Sequence, residues 1–241
     1  MALPKIDTPV YEIDLPVSKI HVRFRPFLVK EQKNLLMAME AEDTETINNN
    51  IRQILSNCTL SELEIDEIPI VDVEYYFLHL RARSVGEIVE ANYRCNVLQP
   101  DGEECGNSMK AEVNILDINI QKDDTLQDII KLSDNLSVKM KYPQFSTIKK
   151  AADSKDVNDM ALQMVVDSID TIYDTEQSYS ASEVSDEELK EFVESLNIQQ
   201  FKKIEEFFDH LPKLDKTIKM KCSKCGFEHQ IYFEGLESFF D

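Results

Sequence analysis

Lys221-Cys222-Ser223-Lys224-Cys225-Gly226, near the end of the chain, repeats the pattern of Tyr93-Arg94-Cys95…Glu104-Cys105-Gly106, which lies more than a hundred residues earlier. In each stretch a strand-like segment runs into a cysteine, the chain turns, and a second cysteine is followed directly by glycine. Thiolates suit a zinc ion, which takes four ligands at the corners of a tetrahedron with Zn–S about 2.3 Å. The glycine after the second cysteine lets the backbone turn tightly, so that amide N–H groups can point at sulfur. Two such turns facing each other predict a zinc ribbon with Cys95, Cys105, Cys222 and Cys225 as ligands of one structural Zn2+.

Cys222 and Cys225 form a CxxCG knuckle, a specific signal. Cys95 and Cys105 are separated by nine residues, Asn96 to Glu104, whose turn-rich composition lets them loop out. The entropic penalty of that extra length grows only slowly. Two other readings stay open: small buried hydrophobes, or a redox CxxC pair. A redox pair would open a helix after a strand, whereas β-type alternation continues here on both sides. Four cysteines close the shell, so a catalytic zinc with an open position is not expected. His229 lies close enough in sequence to replace one cysteine. The fifth cysteine, Cys58, falls on the apolar stripe of a helix and reads as core.

The chain has 241 residues, enough to bury a real core. It carries 46 acidic and 26 basic residues, a formal charge of −20. Such a surface repels phosphate and argues against nucleic-acid or anionic-membrane partners, while it could steer toward a basic partner. Five glycines and no phosphate-cradling loop make a nucleotide site unexpected. No apolar run reaches membrane-spanning length, and Met1 to Pro16 lack a signal-peptide core, which together predict a cytosolic chain. Five cysteines in a reducing compartment then suggest metal ligation or burial rather than disulfides.

Around the knuckles the periodicity reads as α+β. Val10 to Leu15 and Ile20 to Phe24 alternate as two strands. Asp43 is placed to cap a helix carrying Ile47, Ile51, Ile54, Leu55 and Cys58 on one face. Pro69 opens another, with Ile70, Val73, Tyr76, Phe77 and Leu80 turned inward. Strands are expected from Glu87 to Ile120 on either side of Pro100-Asp101-Gly102, and from Leu136 to Tyr142. Val157, Met160, Ala161, Met164, Val165, Ile169 and Ile172 show helical spacing. Asp174 to Ser185, acidic and rich in Ser and Thr, reads as a mobile loop. Ser185 and Glu188 form a capping box before Leu189, Phe192, Val193 and Leu196. Ile198, Phe201, Ile204, Phe208 and Leu211 mark a last helix before Pro212. Strands at Thr217–Lys221 and Glu228–Phe233 close the pattern.

This predicts one discontinuous unit: strands in 1–27, helices in 28–85, a ribbon from 86–121 and 214–241, and a mainly helical insert 122–213 with the acidic loop 174–185. No nucleophile, acid and base fall together, so no enzyme is expected. His21, His79 and His210 are scattered. Glu187-Glu188 and Glu205-Glu206 read as solvated helix faces. The basic stretch His21 to Lys33, with Arg23, Arg25, Lys30 and Lys33, reads as a strand-to-helix corner or an acidic-partner contact. Leu236 to Asp241 would cap the core beside the ribbon or dock into a neighbour.

Longer strings carry a family resemblance. ALPKIDTPVYEIDLP (2–16), VRFRPFLVKEQKNLLMAMEAED (22–43), VEYYFLHLRARSVGEIVE (73–90), EELKEFVESLNIQQFKKIEEFFDHLPKL (187–214) and KCSKCGFEHQIYFEGLESFF (221–240) resemble the T4-type bacteriophage baseplate proteins. RPFLVKE and LRARSVGE are the most specific, because no generic physics demands them. The resemblance implies a hub subunit or hub-assembly factor of a contractile tail, working in the host cytoplasm during assembly or in the virion baseplate. It implies other baseplate or hub proteins as partners, with no small-molecule substrate, and leaves oligomeric state open. It does not separate a retained subunit from a transient chaperone. A zinc-ribbon nucleic-acid binder, which the charge opposes, and a cell-wall hydrolase, which lacks its catalytic groups, are the competing classes.

Overall fold

The computed structural model describes residues 7–40, 43–118, 120, 121, 123, 125–152 and 157–234. Its elements in chain order are β1 (Tyr11–Asp14), β2 (His21–Phe24), α1 (Val29–Glu40), α2 (Thr44–Cys58), α3 (Ile70–Ser84), β3 (Ile88–Arg94), β4 (Ser108–Asn114) and β5 (Ile120–Gln121). They continue as β6 (Ile129–Lys131), β7 (Ser137–Met140), α4 (Phe145–Ala152), α5 (Val157–Asp167), β8 (Ile169–Tyr173), β9 (Ser178–Ser180), α6 (Asp186–Glu194), α7 (Ile198–Asp209), β10 (Lys213–Lys221) and β11 (Glu228–Glu234). All strand pairings are antiparallel, and the class is α+β.

The first core forms where alternation in β1 and β2 meets helical stripes. Val22 and Phe24 point in from β2, and Leu55 and Cys58 from α2. Val73, Tyr76, Phe77 and Leu80 point in from α3. All eight are fully buried, and each large apolar side chain removed from water is worth roughly 1.5–3 kcal/mol. The Tyr76 ring meets Phe24 edge-on at 5.4 Å, and its hydroxyl is satisfied by Thr59 at 2.8 Å. Asp43 caps α2 as expected, its carboxylate accepting from the Thr46 amide. Pro69 stands one position before α3 rather than inside it.

Helix α3 has a second face. Leu78 and Ala82 pack with Val89 of β3, Val113 of β4, Ile115, Ile118, Leu214 of β10 and Phe233 of β11. This places the two cysteine-bearing hairpins, β3–β4 and β10–β11, over the outer side of the same helix that closes the first core. Strand β10 starts four residues earlier than the sequence suggests, because Lys213 and Leu214 pair with β5.

Residues between the hairpins build their own core from the sheet β6-β7-β8-β9 and helices α5, α6 and α7. Several expectations shift here. Ile169 and Ile172 belong to β8, not to the preceding helix, which ends at Asp167. The β-rich run Ile169-Asp170-Thr171-Ile172-Tyr173 pairs with β7, through one register shift, and with β9 over Thr171 to Tyr173, and this pairing outweighs the helical spacing. Within the acidic stretch 174–185, Ser178–Ser180 pair with β8, and Asp174 accepts from the amides of Glu176 and Gln177. Short side chains closed a turn there, so that stretch is not a structureless loop.

The capping box of Ser185 and Glu188 is present, and Asn197 with Gln200 forms a second one. Ile198, expected inward, is exposed at the first turn of α7, while Phe207 takes the buried place beside Ile204. Helix α4 had no counterpart in the pattern. Its Phe145 enters the first core, and the Ile70 amide donates to the Pro143 carbonyl, tying the inserted region to the start of α3. Leu236 to Asp241 lie outside the described residues.

Candidate metal centre

The two knuckles have the same backbone. In the first, the Cys95 amide donates to the Asn107 carbonyl and the Gly106 amide donates to the Cys95 carbonyl, both at 2.9 Å. In the second, the Cys222 amide donates to the Phe227 carbonyl at 2.8 Å and the Gly226 amide to the Cys222 carbonyl at 2.9 Å. The matching glycines adopt φ of 64° and 76°, a left-handed turn that a side chain would strain. The nine residues between Cys95 and Cys105 fold back on themselves. The Cys105 amide reaches the Val97 carbonyl at 2.8 Å, and Gln99 pairs with Glu103 across the Pro100-Asp101-Gly102 turn. The insertion therefore leaves the two sulfur atoms together, as its composition suggested.

All four predicted cysteines meet. The sulfur atoms of Cys95, Cys105, Cys222 and Cys225 lie within 4.8 Å of one another. Cys95 and Cys225 are separated by 3.6 Å, and Cys105 and Cys222 by 3.8 Å. These gaps are far beyond a disulfide at about 2.05 Å. They match the edge of a tetrahedron, about 3.8 Å when the centre lies about 2.3 Å from each sulfur. Three of the cysteines are buried, and Met109 and Met220 pack beside them. The set has the donor chemistry and the spacing for a metal ion.

The surroundings suit anionic sulfur at Cys222 but not at Cys95. Amide hydrogen bonds from the Cys225 and Lys224 backbone bring the Cys222 thiol down to about 6, whereas burial pushes the Cys95 thiol up to about 12. Asn107 Nδ2 donates to Cys222 Sγ at 3.5 Å and to Ser223 Oγ at 3.2 Å, bridging one hairpin to the other. Lys224 Nζ donates to the Cys105 carbonyl at 2.7 Å. His229, 5 % exposed, places Nε2 at 3.1 Å from Cys95 Sγ. It stands beside the four sulfurs and is not needed to complete the set. From sequence alone His229 stands only as a substitute ligand, not as a neighbour of the Cys95 sulfur. The alternation of β11 does place position 229 on the inner face, which was the available signal.

The remaining residues singled out in the sequence lie elsewhere. Cys58 is fully buried in the first core, and its surroundings push the thiol up to about 11. His21 sits beside Asp14, His79 against the Tyr75 ring, and His210 on the Glu206 carbonyl. Arg23 pairs with Glu12 and Arg25 with Glu31, so this part of the basic stretch forms a strand-to-helix corner.

The sequence pattern of the T4 bacteriophage base plate proteins matches residues 8–241, from the first strand through both knuckles to the end of the sequence. The chain belongs to that family. No match was found among curated proteins. None was found among solved structures. Membership makes this a phage base plate protein and implies contacts with other phage structural proteins. Among its described residues no helix is long and apolar enough to cross a membrane.

Proposed function

We propose that this base plate protein is a structural component of the hub of a contractile phage tail, acting by protein–protein contact around a fold fixed by one structural zinc ion. The observation that carries the reading is the family match over nearly the whole chain, which includes both knuckles. Cys95, Cys105, Cys222 and Cys225 would be the ligands. Four sulfur donors in a tetrahedron favour zinc over harder cations, and a shell filled by protein has no open position for substrate. The zinc would supply cross-linking, joining two cysteine pairs that the sequence keeps more than a hundred residues apart.

Two measurements test this. Elemental analysis of the purified, reduced protein is expected to give one zinc per chain; a folded protein with substoichiometric metal overturns the zinc assignment. Mass spectrometry of purified tails, with cross-linking, is expected to find the chain bound among the central base plate proteins. A chain required for assembly but absent from finished tails would instead be a transient chaperone, and the subunit reading would fail.

A further inference from the structure

The β10–β11 hairpin has one face over the thiols and another open to solvent. On the open face the register sets Thr217 opposite Tyr232, Lys219 opposite Gln230, and Lys221 opposite Glu228. All six residues are exposed, Tyr232 at 69 %, and Phe227 at the knuckle end is 51 % exposed. Between residues 213 and 234 the chain carries Lys213, Lys216, Lys219, Lys221 and Lys224 against Asp215, Glu228 and Glu234. A net positive hairpin therefore projects from a chain whose total charge is −20. Among the described residues, neither Lys219 nor Lys221 forms an ion pair, even though Glu228 lies directly across from Lys221.

We infer that this outer face of β10–β11 is a docking surface for an acidic protein segment bearing aromatic or apolar side chains. Charge complementarity selects the acidic character: among the described residues Lys219 and Lys221 form no ion pair, and the face carries these two cations against the single carboxylate of Glu228. Tyr232 and Phe227 supply the apolar contact that anchors a protein interface. Nucleic acid is the less suitable polyanion. A seven-residue strand is only about 23 Å long, and the rest of the chain carries all of the net negative charge, which opposes a continuous phosphate chain. A short acidic segment can contact the hairpin alone. The inference rests on the reading that the chain works by protein contact, and it adds the surface and the chemistry of the partner.

The test uses the full, metal-loaded chain and a random copolymer of glutamate and tyrosine as probe, with a deoxythymidine oligonucleotide as the competing polyanion. Binding of the copolymer at low ionic strength is expected to fall about tenfold or more in the double variant Lys219→Glu/Lys221→Glu. It should fall severalfold in Tyr232→Ala. A double variant with the same charge change on exposed helical positions, Lys149→Glu/Lys202→Glu, is expected to bind within about twofold of the parent. Metal content and circular dichroism verify that each variant is folded. Equal losses in both double variants would overturn the assignment, as would tighter binding of the oligonucleotide. Self-association abolished by the Lys219/Lys221 variant would identify a second copy as the occupant and overturn it too. If the chain is missing from purified tails yet binds the copolymer through these lysines, the docking face stands and the hub assignment alone fails.

Discussion

His229 Nε2 lies 3.1 Å from Cys95 Sγ, linking the two hairpins across 134 positions of sequence. The imidazole is held between the Tyr93 ring at 5.1 Å and the Phe227 ring at 4.9 Å, so its orientation is fixed by packing. With the proton on Nε2 it donates to sulfur and stabilises a thiolate there. Removing such an outer contact typically lowers metal affinity about 10–100-fold while leaving the ligands in place. His229→Ala is therefore expected to bind zinc more weakly in competition with a chromogenic chelator. Its Co2+ spectrum should still report four sulfur ligands. Unchanged affinity would show that the contact does not act on the metal, and a changed ligand signature would make His229 a ligand.

The five thiols should fall into two classes. Four surround the candidate metal, and Cys58 sits in the first core with its thiol pushed up to about 11 by burial. A zinc-bound protein is expected to react slowly at every cysteine with a thiol reagent under native conditions. Adding a chelator should release four reactive thiols together with one equivalent of zinc, and a denaturant should then expose the fifth. Two rapidly reacting thiols in the untreated protein would indicate an unligated redox pair instead.

Much of this centre was legible because it depends on local chemistry. The Cys-turn-Cys-Gly pattern specifies a backbone, and both copies adopt it. Capping by Asp43 and Ser185 was readable for the same reason: a short polar side chain reaches its own helix end. The misread positions depend on what lies across space. Ile169 and Ile172, three positions apart, fit a helical stripe and not a regular strand; both reach one core from β8 because the ladder with β7 shifts register between Lys139 and Met140, which only the pairing reveals. Ile198 is exposed and Phe207 buried, although the helical spacing puts Ile198 on the inner face and does not include Phe207. Helix α4 is only eight residues long, too short to establish a period by itself, and its Phe145 is fixed by a core built from the other end of the chain. His229 carries no motif; its closeness to the knuckle and the alternation of β11 point it inward, but its contact with Cys95, 134 positions away, depends on the meeting of the hairpins.

Asp72, fully buried in the first turn of α3, accepts from the Val17 amide at 2.9 Å and the Ser18 amide at 2.7 Å. One carboxylate thus fastens the β1–β2 turn to a helix more than fifty residues away. Its charge is also favourable at a helix N-terminus. Asp72→Asn keeps the shape but turns one acceptor into a donor, leaving a backbone N–H without a partner. A loss of about 2–3 kcal/mol is expected in urea unfolding. A loss below about 0.5 kcal/mol, the level of an ordinary surface substitution, would mean that water replaces the bond.

Arg25 and Glu31 form the second buried tie. Arg25 Nη2 donates to Glu31 at 2.9 Å and to the Asn57 carbonyl at 3.0 Å, while the Leu28 amide also donates to Glu31. Burial alone would raise the Glu31 carboxyl; the guanidinium and the amide outweigh it and hold it below the ordinary carboxylate value. A carboxyl depressed in the folded state contributes fully above its unfolded value of about 4.3. That contribution fades as pH falls through the lower folded value. Arg25→Met leaves a buried carboxylate without its cation, which is expected to cost roughly 3–5 kcal/mol near neutral pH. Its stability gap from the parent should narrow on acidification, because protonation removes the uncompensated charge in the variant first. Adding Glu31→Gln to Arg25→Met should recover part of the loss at neutral pH. Urea titrations of the parent and both variants from neutral pH to about pH 4 check this; a gap independent of pH would assign the loss to packing of the arginine stem.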